Sequence, residues 1–515
     1  MTKRAPWLLF AFLALVYALS TGGHLYSPDA VLRGRVTESI ALRGALDVDP
    51  RGIPPGFLAI GRGDRAYAKY EAGASLAALP FFALGEGLAR IAPAEAAAPL
   101  FSGPLFLWYR PDQPLDDWRF FGVGLTNAAV IAAAAALLFA LARRLGYEPR
   151  TALLVALLAG LASPLWVYTK DLFAEPLAAL GLVAFVWGAE RAADEPDSSG
   201  APSAALAAGL GLGVAVLAKT AHAVLVPGAL GVLFWRWRRL PDGRRFALRF
   251  ALGLVLPLLV AVAWNVARFG DPLASGYGSE LELWITGPLQ GLAGLLLSPG
   301  RGLLPYFPAV LVALAMTPAA YRCAPQWTVF TWVSLAALLG LYCRWHGWDG
   351  GWCFGPRFLV PVLPLLALLV APFFAARRGP PWLRALGWVC LALSAAIAFS
   401  GTLVAYTDFH QVLRHVYGIH YLDVARWDWR YYAPLAYWRF EPKLFWIAAR
   451  ALRTPAAGWL AAAFGAAAGA LWPVGGALVT SLGNPARAVR AARIWGWLAV
   501  GGGAALAALC ARLAG

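Results

Sequence analysis

The sequence predicts an all-α polytopic membrane protein, and three observations support this fold class. Of the 515 residues, 60% are hydrophobic and only 14% are charged, and the mean hydropathy is +0.63. Apolar stretches of about 17 to 24 residues recur from end to end, each long enough to cross a bilayer core of ~30 Å. The strand-like alternation of a membrane barrel is absent, so helices must satisfy the backbone in lipid.

Basic clusters between these stretches predict the orientation, because cytoplasmic loops carry an excess of Lys and Arg. The clusters at 3–4, 143–144, 236–245, 377–378 and 487–493 are therefore placed in the cytoplasm. This arrangement gives about thirteen transmembrane helices, with the N-terminus inside and the C-terminus outside. The predicted spans are 6–22, 120–142, 152–168, 173–190, 203–218, 220–236, 247–266, 303–321, 327–343, 358–375, 383–405, 456–474 and 494–512.

One further apolar segment, residues 74–92, does not fit this alternation of cytoplasmic and outer loops. If it crossed the membrane alone, Arg143 and Arg144 would lie outside. Either the segment is re-entrant or interfacial, which suits Pro80 and Gly85, or residues 97–108 make a compensating crossing. The sequence leaves both alternatives open.

The net charge of +16 is explained by positive-inside loops, with binding to anionic lipid or phosphate as a second interpretation. Nucleic acid is disfavoured as a partner because the arginines are spread over many short loops. The five cysteines show no metal-binding spacing. The predicted topology places Cys343 and Cys353 on the same outer face, and a disulfide between them is one alternative.

The predicted topology gives the outer face four sizeable loops, at 23–118, 267–302, 344–357 and 406–455. The cytoplasmic loops are short, so the protein is expected to work on the outer side. Residues 1–405 are taken as a transmembrane catalytic module, and 406–515 as an outer loop followed by C-terminal transmembrane helices.

The stretch HLYSPDAVLRGR, residues 24–35, places charges directly after the first span. Ser27 as N-cap and Pro28 in the first turn predict a helix over 28–43, amphipathic and next to the membrane, with Val31, Val36 and Ile40 on its apolar side. Asp29 and Arg33 then share a face. They form either an ordinary i,i+4 ion pair at a membrane boundary or part of a site.

Two acids lie in the short hairpin YTKDLFAEP, residues 168–176. Glu175 falls inside an apolar run, where ionisable residues are usually functional. Asp171, with Lys170, also fits a snorkelling charge at the membrane interface. The three candidate catalytic acids are thus Asp29, Asp171 and Glu175.

Cations and aromatic residues are predicted to gather on the same outer face. Clustered Arg and Lys hold phosphate groups, and tryptophans stack on sugars. The loop RWHGWDGGWCFGPRFLVP interleaves such residues with glycines, beyond what an aromatic belt explains. The candidate substrate-binding residues are Arg33, Lys69, Lys219, Arg268, Arg301, Arg344, His346 and Arg357.

This combination favours chemistry on a phosphate-bearing lipid at the interface. A carboxylate can act as general base on an acceptor hydroxyl, and cations stabilise a departing phosphate. Nucleotide-binding and zinc motifs are absent, and nucleotide sugars are not supplied outside the cytoplasm. An activated sugar there must arrive on a lipid carrier.

Several segments, in order, resemble bacterial GT-C glycosyltransferases of the branch related to protein O-mannosyltransferases and aminoarabinose lipid A transferases. The segments are YSPD (26–29), GRGDRAYAKYEAGASLAALPFFALG (61–85), LARRLG (141–146), SPLWVYTKDLFAEPLAAL (163–180), SPGRGLLPYFP (298–308) and GWCFGPRFLVPVLP (351–364). The resemblance spans most of residues 24–375 and adds little beyond them.

The resemblance implies a GT-C-like fold and sugar transfer from a polyprenyl-phosphate donor at a bacterial inner membrane. A divalent metal is optional in this family. Its first-loop acids usually come as a close pair, whereas Ala30 follows Asp29 here, so a metal site is doubtful and Asp29 is the sole candidate base of that loop. The second outer acid falls on Asp171 or Glu175.

The sequence thus predicts an inverting glycosyltransferase whose acceptor is a lipid, a protein or a polysaccharide. A lipid or solute transporter is the rival hypothesis, but it should show internal repeats, and none is evident. An O-antigen ligase or polymerase is a third, favoured by His410, His415 and His420 in the late outer loop.

Overall fold

A computed structural model of the chain describes residues 4–23, 25–92, 118–238, 240, 243–376, 380–419, 426–437, 439, 446, 448 and 458–481. Within them the protein is helical apart from one small hairpin, in which strands β1 (Leu58–Ile60) and β2 (Ala66–Ala68) pair antiparallel. The predicted all-α class is confirmed.

The helices follow one another through short connections. In chain order they are α1 Ala5–Ser20, α2 Pro28–Arg43, α3 Ala72–Ala77, α4 Leu79–Ile91, α5 Trp118–Gly124, α6 Thr126–Arg144, α7 Pro149–Leu161, α8 Leu165–Tyr168, α9 Glu175–Asp194, α10 Ala201–Ala218, α11 Val226–Trp237, α12 Gly243–Phe269, α13 Pro288–Leu297, α14 Leu303–Tyr306, α15 Ala309–Cys323, α16 Pro325–Tyr342, α17 Leu363–Leu369, α18 Ala371–Ala375, α19 Pro381–Leu403, α20 Tyr406–His415, α21 Ala433–Ala436 and α22 Gly458–Ser481. Short 3-10 segments lie at Pro55–Phe57, Arg62–Asp64, Thr220–Leu225, Gly278–Glu282, Arg357–Val362 and Trp429–Tyr431.

Seven helical stretches in the described part of the chain are long and apolar enough to cross a membrane. Each overlaps a predicted span, so the chain is a multi-pass membrane protein. They are Trp118–Arg144, Glu175–Asp194, Ala201–Ala218, Gly243–Phe269, Arg357–Ala375, Pro381–Leu403 and Ala462–Ser481. The predicted span 494–512, the basic clusters at 377–378 and 487–493, and His420 lie outside the described residues.

Other predicted spans appear as shorter or interrupted helices. The predicted span 152–168 is divided between α7 and α8, with Pro164 at the break, and 303–321 is divided between α14 and α15, with Pro308 at the break. Proline interrupts a helix because it lacks an N–H and clashes with the preceding turn. The predicted total of about thirteen stays a prediction.

The ambiguous segment 74–92 forms α3 and α4, with a break at Ala78. Helix α4 packs mainly on α5 and α2, and a methyl group at Gly85 would lie 2.6 Å from the Arg119 Cα. These contacts would form in either alternative, so the interfacial or re-entrant segment and the compensating crossing both stay predictions. Residues 97–108 lie outside the described part of the chain.

Glycines let α9, α10 and α12 pack with their backbones in contact. Helix α10 lies between the other two. A methyl group at Gly181 in α9 would lie 2.5 Å from the Gly211 carbonyl oxygen in α10. Gly209 in α10 and Gly253 in α12 likewise lie against the backbone of the facing helix. Small residues permit such close approach between membrane helices.

The disulfide considered for Cys343 and Cys353 is not formed. Both are buried free thiols, and their Sγ atoms face the carbonyl oxygens of Gly340 and Asp349.

Candidate functional site

Helix α2 forms as predicted and presents Asp29 in its first turn. The Ser27 Oγ accepts a hydrogen bond from the Ala30 N–H at 3.2 Å, and Pro28 opens the helix. Gly44 ends it in the left-handed region, with φ of 62°. Val31 and Val36 are 4% and 2% exposed, so they pack inside the protein instead of resting on a membrane surface as the sequence suggested.

Asp29 is held by three side chains. The Tyr70 hydroxyl donates a hydrogen bond to its Oδ1 at 2.5 Å, and the Arg357 Nη2 contacts Oδ2. The Arg33 Nη1 lies 3.8 Å from Oδ2, so the predicted i,i+4 pair is present but is the longest of the three contacts. The Arg33 guanidinium also lies 4.1 Å from the centre of the Tyr70 ring.

Arg357 joins Asp29 to Glu175, which lies far away in sequence. Its Nε donates to the Glu175 Oε1 at 3.0 Å, and the Lys219 Nζ reaches the same oxygen at 3.2 Å. Glu175 opens α9 and Lys219 directly follows α10. We call Asp29, Arg33, Tyr70, Glu175, Lys219 and Arg357 the Arg357 cluster.

Electrostatics in this cluster keep Asp29 ionised. Burial alone would raise its pKa, but the charges of Arg357 and Arg33, with the hydrogen bonds from Tyr70 and Arg357, outweigh burial. The pKa of Asp29 therefore lies well below the usual value of an aspartate. It carries a negative charge at any physiological pH.

Asp171 lies apart from Asp29's cationic partners. Its Oδ2 accepts hydrogen bonds from the Ser27 N–H and the Tyr406 hydroxyl, both at 3.1 Å. Burial raises the pKa of Asp171 to about 7. The neighbouring Lys170 donates to the carbonyls of Gly401, Thr402 and Val404 at 2.9 to 3.1 Å. Of the two acids in the hairpin, the structure brings Glu175 into the Arg357 cluster.

Three further predicted cations hold loops in place. The Lys69 Nζ pairs with the Glu280 Oε1 at 2.6 Å. The buried Arg268 donates to the carbonyls of Ala68 and Tyr70 at 2.7 and 3.2 Å. The buried Arg301 donates to the Gly351 carbonyl at 2.8 Å and contacts His410 at 3.2 Å. The remaining two predicted residues, Arg344 and His346, are exposed.

The Lys69–Glu280 pair fastens the segment 271–287 onto the first loop. In that segment, a methyl group at Gly276 would lie 2.5 Å from the Lys69 Cα, so only glycine fits there. The Tyr277 ring packs edge-on against the Tyr70 ring at 6.4 Å. The segment thus contacts the residues next to Asp29's partner Tyr70.

Two residues of the site were missed by the sequence analysis. Tyr70 bonds Asp29 directly, and Glu71 accepts a hydrogen bond from the Thr220 N–H at 3.0 Å. Both lie in the motif GRGDRAYAKYEAG beside Lys69. The only signal was their place in that motif, since the order of the chain does not show which helix they would meet.

The acids of the site bind cationic side chains. The Asp29 Oδ2 and the Glu175 Oε1 both contact Arg357, and Lys219 also reaches the Glu175 Oε1. Among the residues described, no group of three His, Cys, Asp or Glu side chains is placed to share an ion.

Comparison with known proteins gives one sequence match. The family described as dolichyl-phosphate-mannose-protein mannosyltransferase matches residues 102–270, which include Asp171, Glu175, Lys219 and Arg268. No curated protein matches the chain by sequence.

Three solved structures are similar in fold. ArnT of Cupriavidus metallidurans, bound to undecaprenyl phosphate, is 15% identical with a TM-score of 0.48, and the match covers 80% of this chain and 73% of ArnT. The oligosaccharyltransferase of Archaeoglobus fulgidus is 13% identical with a TM-score of 0.47, covering 79% and 55%. The Pmt1–Pmt2 protein O-mannosyltransferase complex of S. cerevisiae, bound to its sugar donor, is 18% identical with a TM-score of 0.35, covering 58% and 37%.

The chain thus spans about three quarters of the length of ArnT and about a third to a half of the other two. The match of residues 102–270 confirms that this chain resembles the protein O-mannosyltransferase branch of membrane glycosyltransferases, as its sequence motifs predicted.

Proposed function

We propose that the protein transfers a sugar from a polyprenyl-phosphate donor to an acceptor hydroxyl on the extracytoplasmic side of a bacterial inner membrane. The observation that supports this most is the Arg357 cluster, which joins an acid of the first loop to Glu175, Lys219 and Arg357 from three other parts of the chain. The family matched by residues 102–270 is described by a lipid-phosphate sugar donor.

Asp29 is assigned as the general base. Its side chain is 16% exposed, whereas Glu175 is fully buried and Asp171 is 1% exposed, so Asp29 alone of the three predicted acids offers surface to an acceptor. Glu175 has a positioning role, because it holds Arg357 and Lys219 together. The acceptor oxygen attacks the anomeric carbon with inversion, and its proton passes to Asp29.

The donor phosphate is expected to strengthen this base. Arg357 contacts Asp29 in the structure, and a phosphate diester is a second anion that competes for the same guanidinium. As Arg357 turns toward the phosphate, the pKa of Asp29 rises. The bond between the anomeric carbon and the phosphate oxygen then breaks, and its electron pair leaves with the polyprenyl phosphate, stabilised by Arg357 and Lys219.

The test is a transfer assay on membranes containing the full chain. Polyprenyl-phosphate mannose and polyprenyl-phosphate arabinose, each labelled in the sugar, are supplied, and the label is followed into lipid, protein and polysaccharide fractions. Loss of a general base lowers the rate about 100-fold or more, so Asp29→Asn should abolish measurable transfer.

Asp49→Asn is the matched control, since Asp49 pairs with Arg51, two residues away, near the surface. It should transfer at the wild-type rate. Near-normal turnover in Asp29→Asn, with insertion and melting temperature unchanged, would remove Asp29 from the mechanism. Accumulation of label across the membrane without a new glycosidic bond would favour a transporter.

A further inference from the structure

Buried polar atoms without hydrogen-bond partners gather around Lys219. Glu175 is fully buried and uses its Oε1 for both Arg357 and Lys219, while its Oε2 meets no partner among the described residues. Glu71 also uses only one of its two carboxylate oxygens among the described residues. Its Oε1 accepts a hydrogen bond from the Thr220 N–H, whereas its buried Oε2 has no described partner.

Tyr342 adds a third such atom. Its ring is 4% exposed and stacks on Phe358, with centres 3.9 Å apart, yet its hydroxyl has no partner within the described ranges. The Lys219 Nζ lies 5.1 Å from the Tyr342 ring and 4.2 Å from the Phe358 ring. Tyr342 and Lys219 each interact electrostatically with both Glu71 and Glu175, so the four groups lie near one another.

The chemistry of these atoms selects a kind of ligand. Buried polar atoms are nearly always hydrogen-bonded, so three together indicate a group that is bound there. Two of them are carboxylate oxygens, which only accept, so the ligand must donate. A phosphate or an acidic sugar would be repelled by the two carboxylates, whereas adjacent hydroxyls of a neutral sugar donate to both.

We propose that Glu71, Glu175 and Tyr342 bind the hydroxyls of the transferred sugar, and that this sugar carries no acidic group. The assignment rests on the proposed function and adds a sugar subsite to it. Arg33 and Arg357 then lie on the phosphate side of the donor, and Lys219 lies between the phosphate and the sugar.

Tyr342→Phe tests the subsite without disturbing the fold, because it keeps the stack on Phe358 and removes a hydroxyl that bonds no described residue. Glu71→Gln is the second variant, since the amide oxygen can still accept from the Thr220 N–H. Glu86→Gln is the control: this carboxylate pairs with Arg119 at the surface.

Binding is measured on purified full-length protein in lipid nanodiscs, with two probes. One is polyprenyl-phosphate mannose, and the other is polyprenyl phosphate without sugar. A lost hydrogen bond to a ligand lowers affinity about 5- to 10-fold. Tyr342→Phe and Glu71→Gln should show this loss for the sugar-bearing donor alone, with the unfolding temperature of Tyr342→Phe unchanged.

Equal weakening of both probes would overturn the subsite, because the residues would then act on the phosphate or on the fold. Unchanged affinity for both probes in the two variants would overturn it as well. A wild-type protein that binds neither probe would instead contradict the proposed function itself. These outcomes separate a failed subsite from a failed enzyme assignment.

Discussion

Arg357 controls the charge environment of both acids in its cluster. It contacts Asp29 through Nη2 and Glu175 through Nε, and its Nη1 donates to the Gly350 carbonyl at 3.1 Å. A planar guanidinium presents its donors in a rigid fork, whereas a lysine ammonium is a compact charge on a flexible stem. Arg357 therefore sets the distance between a first-loop acid and a transmembrane helix end.

Asp171→Asn should flatten the pH dependence of stability. Burial raises the pKa of Asp171 to about 7, so its contribution to stability is complete below the ordinary aspartate pKa and is lost as the pH rises through about 7. The slope for one proton reaches about 1.4 kcal/mol per pH unit. The asparagine oxygen still accepts from the Ser27 N–H and Tyr406.

The measurement is the unfolding temperature in detergent at a series of pH values from 4 to 8, for wild type, Asp171→Asn and the control Asp49→Asn. The wild type should lose stability between about pH 4 and 7 more steeply than Asp171→Asn. Parallel curves for the two proteins would show that Asp171 is ionised in the fold at neutral pH.

Single site residues were only partly predictable. Asp29, Arg33, Glu175, Lys219 and Arg357 were named from charge at helix ends, and the structure joins all five. Arg268 and Arg301 carry the same signal, yet they bind backbone carbonyls of the loops beside them. A buried arginine that holds a loop and one that meets an acid look alike in sequence, because the difference lies in which carbonyls and carboxylates the fold places within reach.

Among the elements, the segment 271–287 packs against the first loop next to Tyr70, the residue that bonds Asp29. It contacts the first loop through Gly276 on the Lys69 backbone, Tyr277 on Tyr70, and Glu280 on Lys69. Tyr70 in turn bonds Asp29. A displacement of this segment would therefore reach Asp29 through Tyr70.

Gly276→Leu should detach the segment. A side chain there cannot fit against the Lys69 backbone, so the Tyr277 and Glu280 contacts are expected to be lost together. Hydrogen exchange across 271–287 should accelerate about 10-fold or more, since each 1.4 kcal/mol of lost protection is a factor of ten. Gly287→Leu is the control, because a side chain at Gly287 meets open space. Equal exchange in both variants would show that the segment is held by other contacts.

Helices were predicted well where a local signal marks their ends. Ser27, Pro28 and Gly44 delimit α2 by hydrogen bonding and backbone geometry that act within a few residues. Hydropathy, by contrast, could not show that 152–168 is divided between α7 and α8 or that 74–92 lies against α5. Those outcomes depend on prolines within apolar runs and on glycine contacts between distant helices.

At the scale of the whole molecule, orientation is the property on which the proposed function depends. The positive-inside rule places the loop 267–302 outside and the connection between α15 and α16 inside. Cys323 is the last residue of α15, next to that connection, and is exposed, while Cys343, Cys353 and Cys390 are buried. Leu273, in the segment 271–287, is 88% exposed.

Cysteine labelling in intact cells should report this orientation. With Cys510 replaced by Ser, Cys323 should resist a membrane-impermeant maleimide until the cells are permeabilised. Leu273→Cys, introduced in a Cys323→Ser and Cys510→Ser background, should react at once. The reverse pattern would place the Arg357 cluster on the cytoplasmic side and contradict the proposed donor.

The glycine contacts among α9, α10 and α12 have a consequence for motion. Backbones in direct contact cannot slide or rotate past one another without a clash, so these three helices behave as one rigid body. Glu175 stands at the start of one of them and Lys219 at the end of another. Their pairing is therefore a fixed reference point, and any rearrangement during turnover must come from the loops that bring Asp29, Tyr70 and Arg357 to it.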